Sequence, residues 1–211
     1  MRRELIPSFV SIPFALGLLV SLSSIARSGV NANGYLLLHT DDTVVYSEDD
    51  EATYCDMLSL ECPFDPECDD DHSGCAMALD DLEPTSGRGP DPAVIWVIAA
   101  FPESSCPRVS AVQFGLSWPY EVELGFVGYG NCADFEIATD GWPTDLGSGT
   151  AITYGNAVRR TGFPVYWFAA YSYYGPIEVS IANFTTGPAA FADDSVPSIL
   201  DNIPREHWGV V

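Results

Sequence analysis

Residues 110–118 read Ser110-Ala111-Val112-Gln113-Phe114-Gly115-Leu116-Ser117-Trp118. The even positions Val112, Phe114, Leu116 and Trp118 are large and apolar. The odd ones, Ala111, Gln113, Gly115 and Ser117, are small or polar. Successive side chains of a strand point to opposite faces, so this period of two describes a strand with one face in a core and the other near solvent.

The pattern spreads outward in both directions. Val122, Leu124 and Phe126 repeat it opposite Glu121, Glu123 and Gly125. Residues 94–101 are apolar on both alternating faces, as a central strand covered on each side would be. Residues 35–40, 43–47, 151–158, 165–174 and 177–184 continue the series. Turn-rich clusters separate them, such as Asp140-Gly141-Trp142-Pro143 and Leu146-Gly147-Ser148-Gly149. Beyond residue 32 no stretch sustains a 3.6-residue apolar period. The expected fold is all-β, an antiparallel β-sandwich of about eight to ten strands with jelly-roll or immunoglobulin-like topology.

One region breaks the rhythm. Residues 41–91 hold 17 of the chain's 30 acidic side chains and four of its six cysteines, with several prolines and little apolar content. Residues 48–91 are therefore expected to form an irregular, disulfide-rich acidic insertion in the regular fold. Residues 76–82 could make a turn or two of helix before Pro84 stops it.

The N-terminus is expected to be an export signal over residues 1–32. Arg2 and Arg3 precede an uncharged run from residue 5 to 26, and Val30-Asn31-Ala32 offers a cleavage site, with Ala26 as the second choice. Residues 33–211 would then be one secreted domain, large enough to bury roughly 70% of its unfolded surface. No second apolar run of spanning length follows, so no membrane insertion is expected after cleavage. In an exported chain six cysteines imply disulfides. Cys106 and Cys132 flank neighbouring expected strands and are the favoured pair. Cys55, Cys62, Cys68 and Cys75 would close among themselves in short loops.

The chain has 211 residues, 8 Arg, no Lys and a formal charge of −22. A body this negative repels phosphates, which excludes nucleic acid and anionic membrane surfaces as partners. Its 47% hydrophobic and 12% aromatic content is too high for an acidic disordered tail.

Three short motifs carry a resemblance. They are Asn31-Ala32-Asn33-Gly34, Gly130-Asn131-Cys132-Ala133-Asp134-Phe135 and Phe191-Ala192-Asp193-Asp194-Ser195-Val196-Pro197. In these the chain resembles a group of uncharacterised secreted β-sandwich proteins from environmental bacteria. The resemblance implies the compartment and the fold and no activity. The strand at 111–118 is also similar to an early strand of cohesin-type sandwiches, an analogy of fold alone.

Four chemistries have residues in this sequence that could carry them. Asp69, Asp71 and Ser73 supply oxygens at positions 1, 3 and 5 of a 12-residue loop, with Gly74 at position 6 and Asp80 at position 12. That spacing suits Ca²⁺, although Asp80 stands where a bidentate Glu is usual and Pro63 and Pro66 forbid an entering helix. Cys62, Cys68, His72 and Cys75 could in principle hold Zn²⁺, but export favours oxidised sulfur. Trp118, Trp142, Trp167, Tyr171 and Tyr173 are candidates for a sugar-stacking platform. Against that, rings on a strand apolar on both faces normally lie in the core. Trp118 and Trp142, beside Pro119 and Pro143, are better placed for exposure. Glu121 and Glu123 could serve a glycosidase, and His39, His72 and His207 are the three His, but no hydrolase motif occurs. The expectation is a non-catalytic extracellular structural, adhesion or ligand-binding protein, Ca²⁺-assisted through the acidic loop. Its partner would be an extracellular protein or glycan. A carbohydrate-binding module and then a secreted hydrolase are the alternatives.

Overall fold

A computed structural model describes residues 28–58, 91–102, 105–121 and 123–211. Residues 1–27 of the expected export signal and residues 59–90 of the acidic insertion lie outside the described residues, and so do Cys62, Cys68, Cys75 and Val122.

Ten strands among the described residues build two antiparallel sheets. They are β1 (Tyr35–Val45), β2 (Ala93–Ala100), β3 (Val109–Ser117), β4 (Leu124–Asn131) and β5 (Phe135–Ala138). They continue with β6 (Gly149–Val158), β7 (Gly162–Ser172), β8 (Ser180–Ala182), β9 (Ala190–Ala192) and β10 (Leu200–Asn202). The first sheet runs β1-β2-β7-β4, the second β10-β9-β3-β6-β5, with β8 also paired to β3.

The alternation read in β3 sets the layering. Val112, Phe114 and Leu116 are buried, whereas Ala111 and Gln113 are half-buried. With Ile152 and Phe191 of their own sheet, they share one core with Leu36, Leu38, Val97 and Phe168 of the other. Each such side chain contributes about 1.5–3 kcal/mol by leaving water.

The apolar run at 94–101 is explained by a second, smaller core on the outer side of the first sheet. There Val94, Trp96 and Ile98 of β2 meet Trp167 and Ala169 of β7, and Tyr54 covers them. Tyr54 belongs to a one-turn helix, α1 (Tyr54–Met57), and is fully buried, its ring centroid 4.7 Å from that of Trp167. Its carbonyl accepts the Trp96 indole N–H at 2.8 Å, and its hydroxyl accepts from the Ser47 amide at 2.7 Å. Both polar groups that the Trp and Tyr bring inside are thus satisfied.

A disulfide fastens this cover. Cys55 of α1 bonds Cys132 at the end of β4, with Cα atoms 5.5 Å apart. This corrects the expected Cys106–Cys132 pair and the expectation that Cys55 closes a short loop; Cys106 is itself disulfide-bonded elsewhere. The expectation failed because β3 and β4, consecutive in sequence, belong to opposite sheets. Cys132 packs with Cys55 against the outer core, on the side of the first sheet away from β3.

Two further departures are local. The segments 35–40 and 43–47 join as one strand with a register shift between Thr40 and Val45. Asp41 makes the bend, its carboxylate accepting from the Thr43 amide at 2.8 Å and hydroxyl at 2.7 Å. The expected strand at 177–184 is reduced to β8, and beside it the Val179 and Ile181 amides donate to the carbonyls of Val211 and Gly209.

Candidate functional site

Antiparallel pairing brings three connections to one end of the two sheets. Leu124 of β4 pairs with Ser172 of β7, Ser117 of β3 with Ser180 of β8, and Gly115 of β3 with Gly149 of β6. The β3–β4, β7–β8 and β5–β6 connections therefore emerge together. The first and the last bound an open groove of about 530 Å³, lined by Trp118, Tyr120, Glu121, Glu123, Asp145 and Leu146 among others.

Each side chain is held differently. Trp118 is anchored on the core, its ring edge-on to Phe126 at 5.9 Å. Tyr120 is 87% exposed. Glu121, Glu123 and Asp145 are exposed as well, and no ion pair among the described residues involves them. Asp145 is positioned by its turn: its amide donates to the Gly141 carbonyl at 2.8 Å, and its carboxylate accepts from the Thr144 hydroxyl at 3.2 Å.

The end of β7 and the β7–β8 connection carry more rings at the same end of the sheets. Tyr171 and Tyr173 meet edge to face at 4.9 Å, and Tyr173 and Tyr174 are largely exposed. The hydrogen bond with Tyr173 raises the Tyr171 pKa above that of an ordinary phenol, and the Glu123 carboxylate adds a smaller push the same way. Tyr171 stands opposite Gly125, the residue after groove-lining Leu124, so the tyrosine pair lies at the same end of the first sheet.

The expected platform is therefore only partly assembled. Trp118 lines the groove, whereas Tyr171 and Tyr173 are not among its lining residues. Trp142 and Trp167 are core residues, 8% and 3% exposed. For Trp142, whose position beside Pro143 suggested exposure, this is a correction. Its indole packs edge-on to Phe114 and Phe168 and donates to the Tyr166 hydroxyl at 3.1 Å. Tyr166 in turn donates to Glu136 at 3.0 Å, which also accepts from Thr150 at 2.6 Å and Asn131 at 3.2 Å. This closed network ties edge strand β5 to the opposite sheet. Burial, with a smaller push from Glu136, holds the Tyr166 hydroxyl neutral well above the usual phenol range, although the Trp142 bond opposes it.

The remaining candidates divide between structural roles and residues outside the description. Asp69, Asp71, Ser73, Asp80 and His72 lie outside the described residues. Among the described residues no three His, Cys, Asp or Glu side chains stand close enough to share a metal ion. His207 stacks on Tyr35 with centroids 3.8 Å apart, its Nδ1 3.1 Å from the Gly34 carbonyl oxygen. His39 is buried beside Trp96.

Tyr120, Asp145 and Leu146 were missed as groove residues. Their local signals, Pro119 beside Tyr120 and Pro143 before Asp145, mark loops, but nothing in the sequence says that these two loops meet. No protein-family model matches the chain, and no curated protein matches it either. No helix among the described residues is long and apolar enough to cross a membrane.

Proposed function

We propose that this is a non-catalytic extracellular binding protein on a β-sandwich scaffold of immunoglobulin or jelly-roll type. In this reading its loop-end groove takes a neutral polysaccharide. The observation that carries the proposal is the groove itself, with Trp118 and Tyr120 beside Glu121, Glu123 and Asp145. Aromatic faces stack on the C–H faces of pyranose rings, and carboxylates accept from sugar hydroxyls. The charge of −22 disfavours anionic polymers. Glu121 and Glu123 are exposed, so neither has the apolar enclosure that a glycosidase general acid uses. Ca²⁺ assistance through Asp69, Asp71, Ser73 and Asp80 is a separate matter on which the groove does not depend.

The test is calorimetric titration against a panel of soluble neutral polysaccharides, xylans and β-glucans included. At least one is expected to bind, and Trp118→Ala with Tyr120→Ala to weaken it at least tenfold, about 1.4 kcal/mol. Silence across the panel, or a double variant that binds as well as the parent, would remove the reading.

A further inference from the structure

The sequence offers two exits from the export signal, after Ala32 and after Ala26, and the fold discriminates between them. The Gly29 amide donates to the Asp201 carboxylate at 2.6 Å and the Asn31 amide to its other oxygen at 3.0 Å. Asn31 is 1% exposed. Its side chain bonds the Arg108 backbone twice: the amide N–H donates to the Arg108 carbonyl at 3.1 Å, and the carbonyl oxygen accepts from the Arg108 N–H at 2.8 Å. Local turns, from the Ala32 amide to the Gly29 carbonyl and from the Gly34 amide to the Asn31 carbonyl, complete the segment.

The fit is steric as well as polar. A Cβ on Gly29 would collide with the Asp201 carboxylate, and one on Gly34 with the rings of Phe101 and Phe191. Asp201 is itself 5% exposed. A cut after Ala32 would remove both amides that its carboxylate binds, together with the part of the chain that covers it, so two hydrogen bonds to a charged group and the packing around them would be lost at once. It would also unpair the Arg108 backbone groups beside it.

We infer that residues 29–32 remain on the mature protein and that export processing cuts after Ala26. Ser24-Ile25-Ala26 supplies small residues one and three positions before that cut, as signal cleavage requires. The inference rests on residues 1–26 being an export signal and is independent of what the groove binds.

The full chain, expressed with its own leader in a secreting bacterial host, provides the test through intact mass and N-terminal sequencing of the exported protein. The expected first residue is Arg27. A chain beginning at Asn33, or one exported without cleavage, overturns the inference. A second measurement isolates the latch, using chains that begin at Arg27 and at Asn33 behind the same foreign leader. The shorter chain should melt roughly 5–10 °C lower, a shift suited to a domain of this size. Asp201→Asn should lower the melting point of the longer chain and leave the shorter one nearly unchanged. Equal melting points for the two chains would mean that the segment is dispensable.

Discussion

His39 shows how one side chain can make a fold sensitive to pH. It is 8% exposed, lies 5.9 Å from the Trp96 ring, and its buried Nδ1 has no hydrogen-bond partner among the described residues. Burial lowers its pKa below the ordinary histidine value, and the Asp41 charge only partly opposes this. The folded state therefore holds the neutral imidazole, whereas the unfolded chain takes up a proton at about pH 6.5. The stability tied to this group is complete above that pH and is lost as pH falls through the lower folded value. Urea unfolding midpoints are expected to fall between pH 7 and pH 5, and His39→Gln to flatten that slope. An unchanged slope in the variant would assign the acid sensitivity to other groups. The sequence placed His39 at a strand end beside two aspartates, which reads as a surface group. The outer core that encloses it appears only once β1 is paired with β2.

At the scale of elements, what could be read from the sequence was whatever repeats within a few residues. The alternation of β3 and the two-sided apolar run of β2 are local facts, and both strands form where expected with the expected faces buried. Strands β9 and β10 have three residues each, too few to show a period, and exist because β3 and β9 offer free edges. Which connections meet at the groove, and which cysteines meet, depends on the sheet each strand joins, and no period within a strand records that. The Cys55–Cys132 bond shows the consequence. It bridges 77 residues and holds α1 over the outer face of the first sheet. Closing so long a loop is worth about 2–4 kcal/mol against the unfolded chain. The variant with both Cys55→Ala and Cys132→Ala should lose stability of that order. Its tryptophan emission should shift to the red as Trp96 and Trp167 become wet. A double variant with parental emission would show that Tyr54 holds the cover without the bond.

Among the described residues the two ends of β3 and β6 carry different charge. Arg108 and Arg159 stand where β3 begins and β6 ends, and Asp194 joins them: Arg108 Nε lies 3.2 Å and Arg159 Nη2 3.3 Å from its carboxylate. Asp193 lies beside them, 3.8 Å from Arg108. Burial alone would raise the Asp193 pKa. The Ser195 hydroxyl, the Ile199 and Ser195 amides and the Arg108 charge outweigh that and hold it below the usual carboxylate range. The groove opens at the opposite end of these strands, where Glu121, Glu123 and Asp145 are exposed and have no ion-pair partner among the described residues. With a formal charge of −22 and no Lys, the folded chain repels itself, and salt screens that repulsion over about 10 Å at 0.1 M. The melting temperature is therefore expected to rise by a few degrees between 20 mM and 500 mM NaCl. A neutral ligand in the groove should bind with nearly the same affinity at both concentrations, since stacking and hydroxyl contacts carry no net charge. A melting temperature that falls with salt would mean that attractive pairs such as Arg108–Asp194 outweigh the repulsion. Affinity that collapses with salt would mean that the carboxylates, not the rings, select the ligand, and that the ligand is a cation.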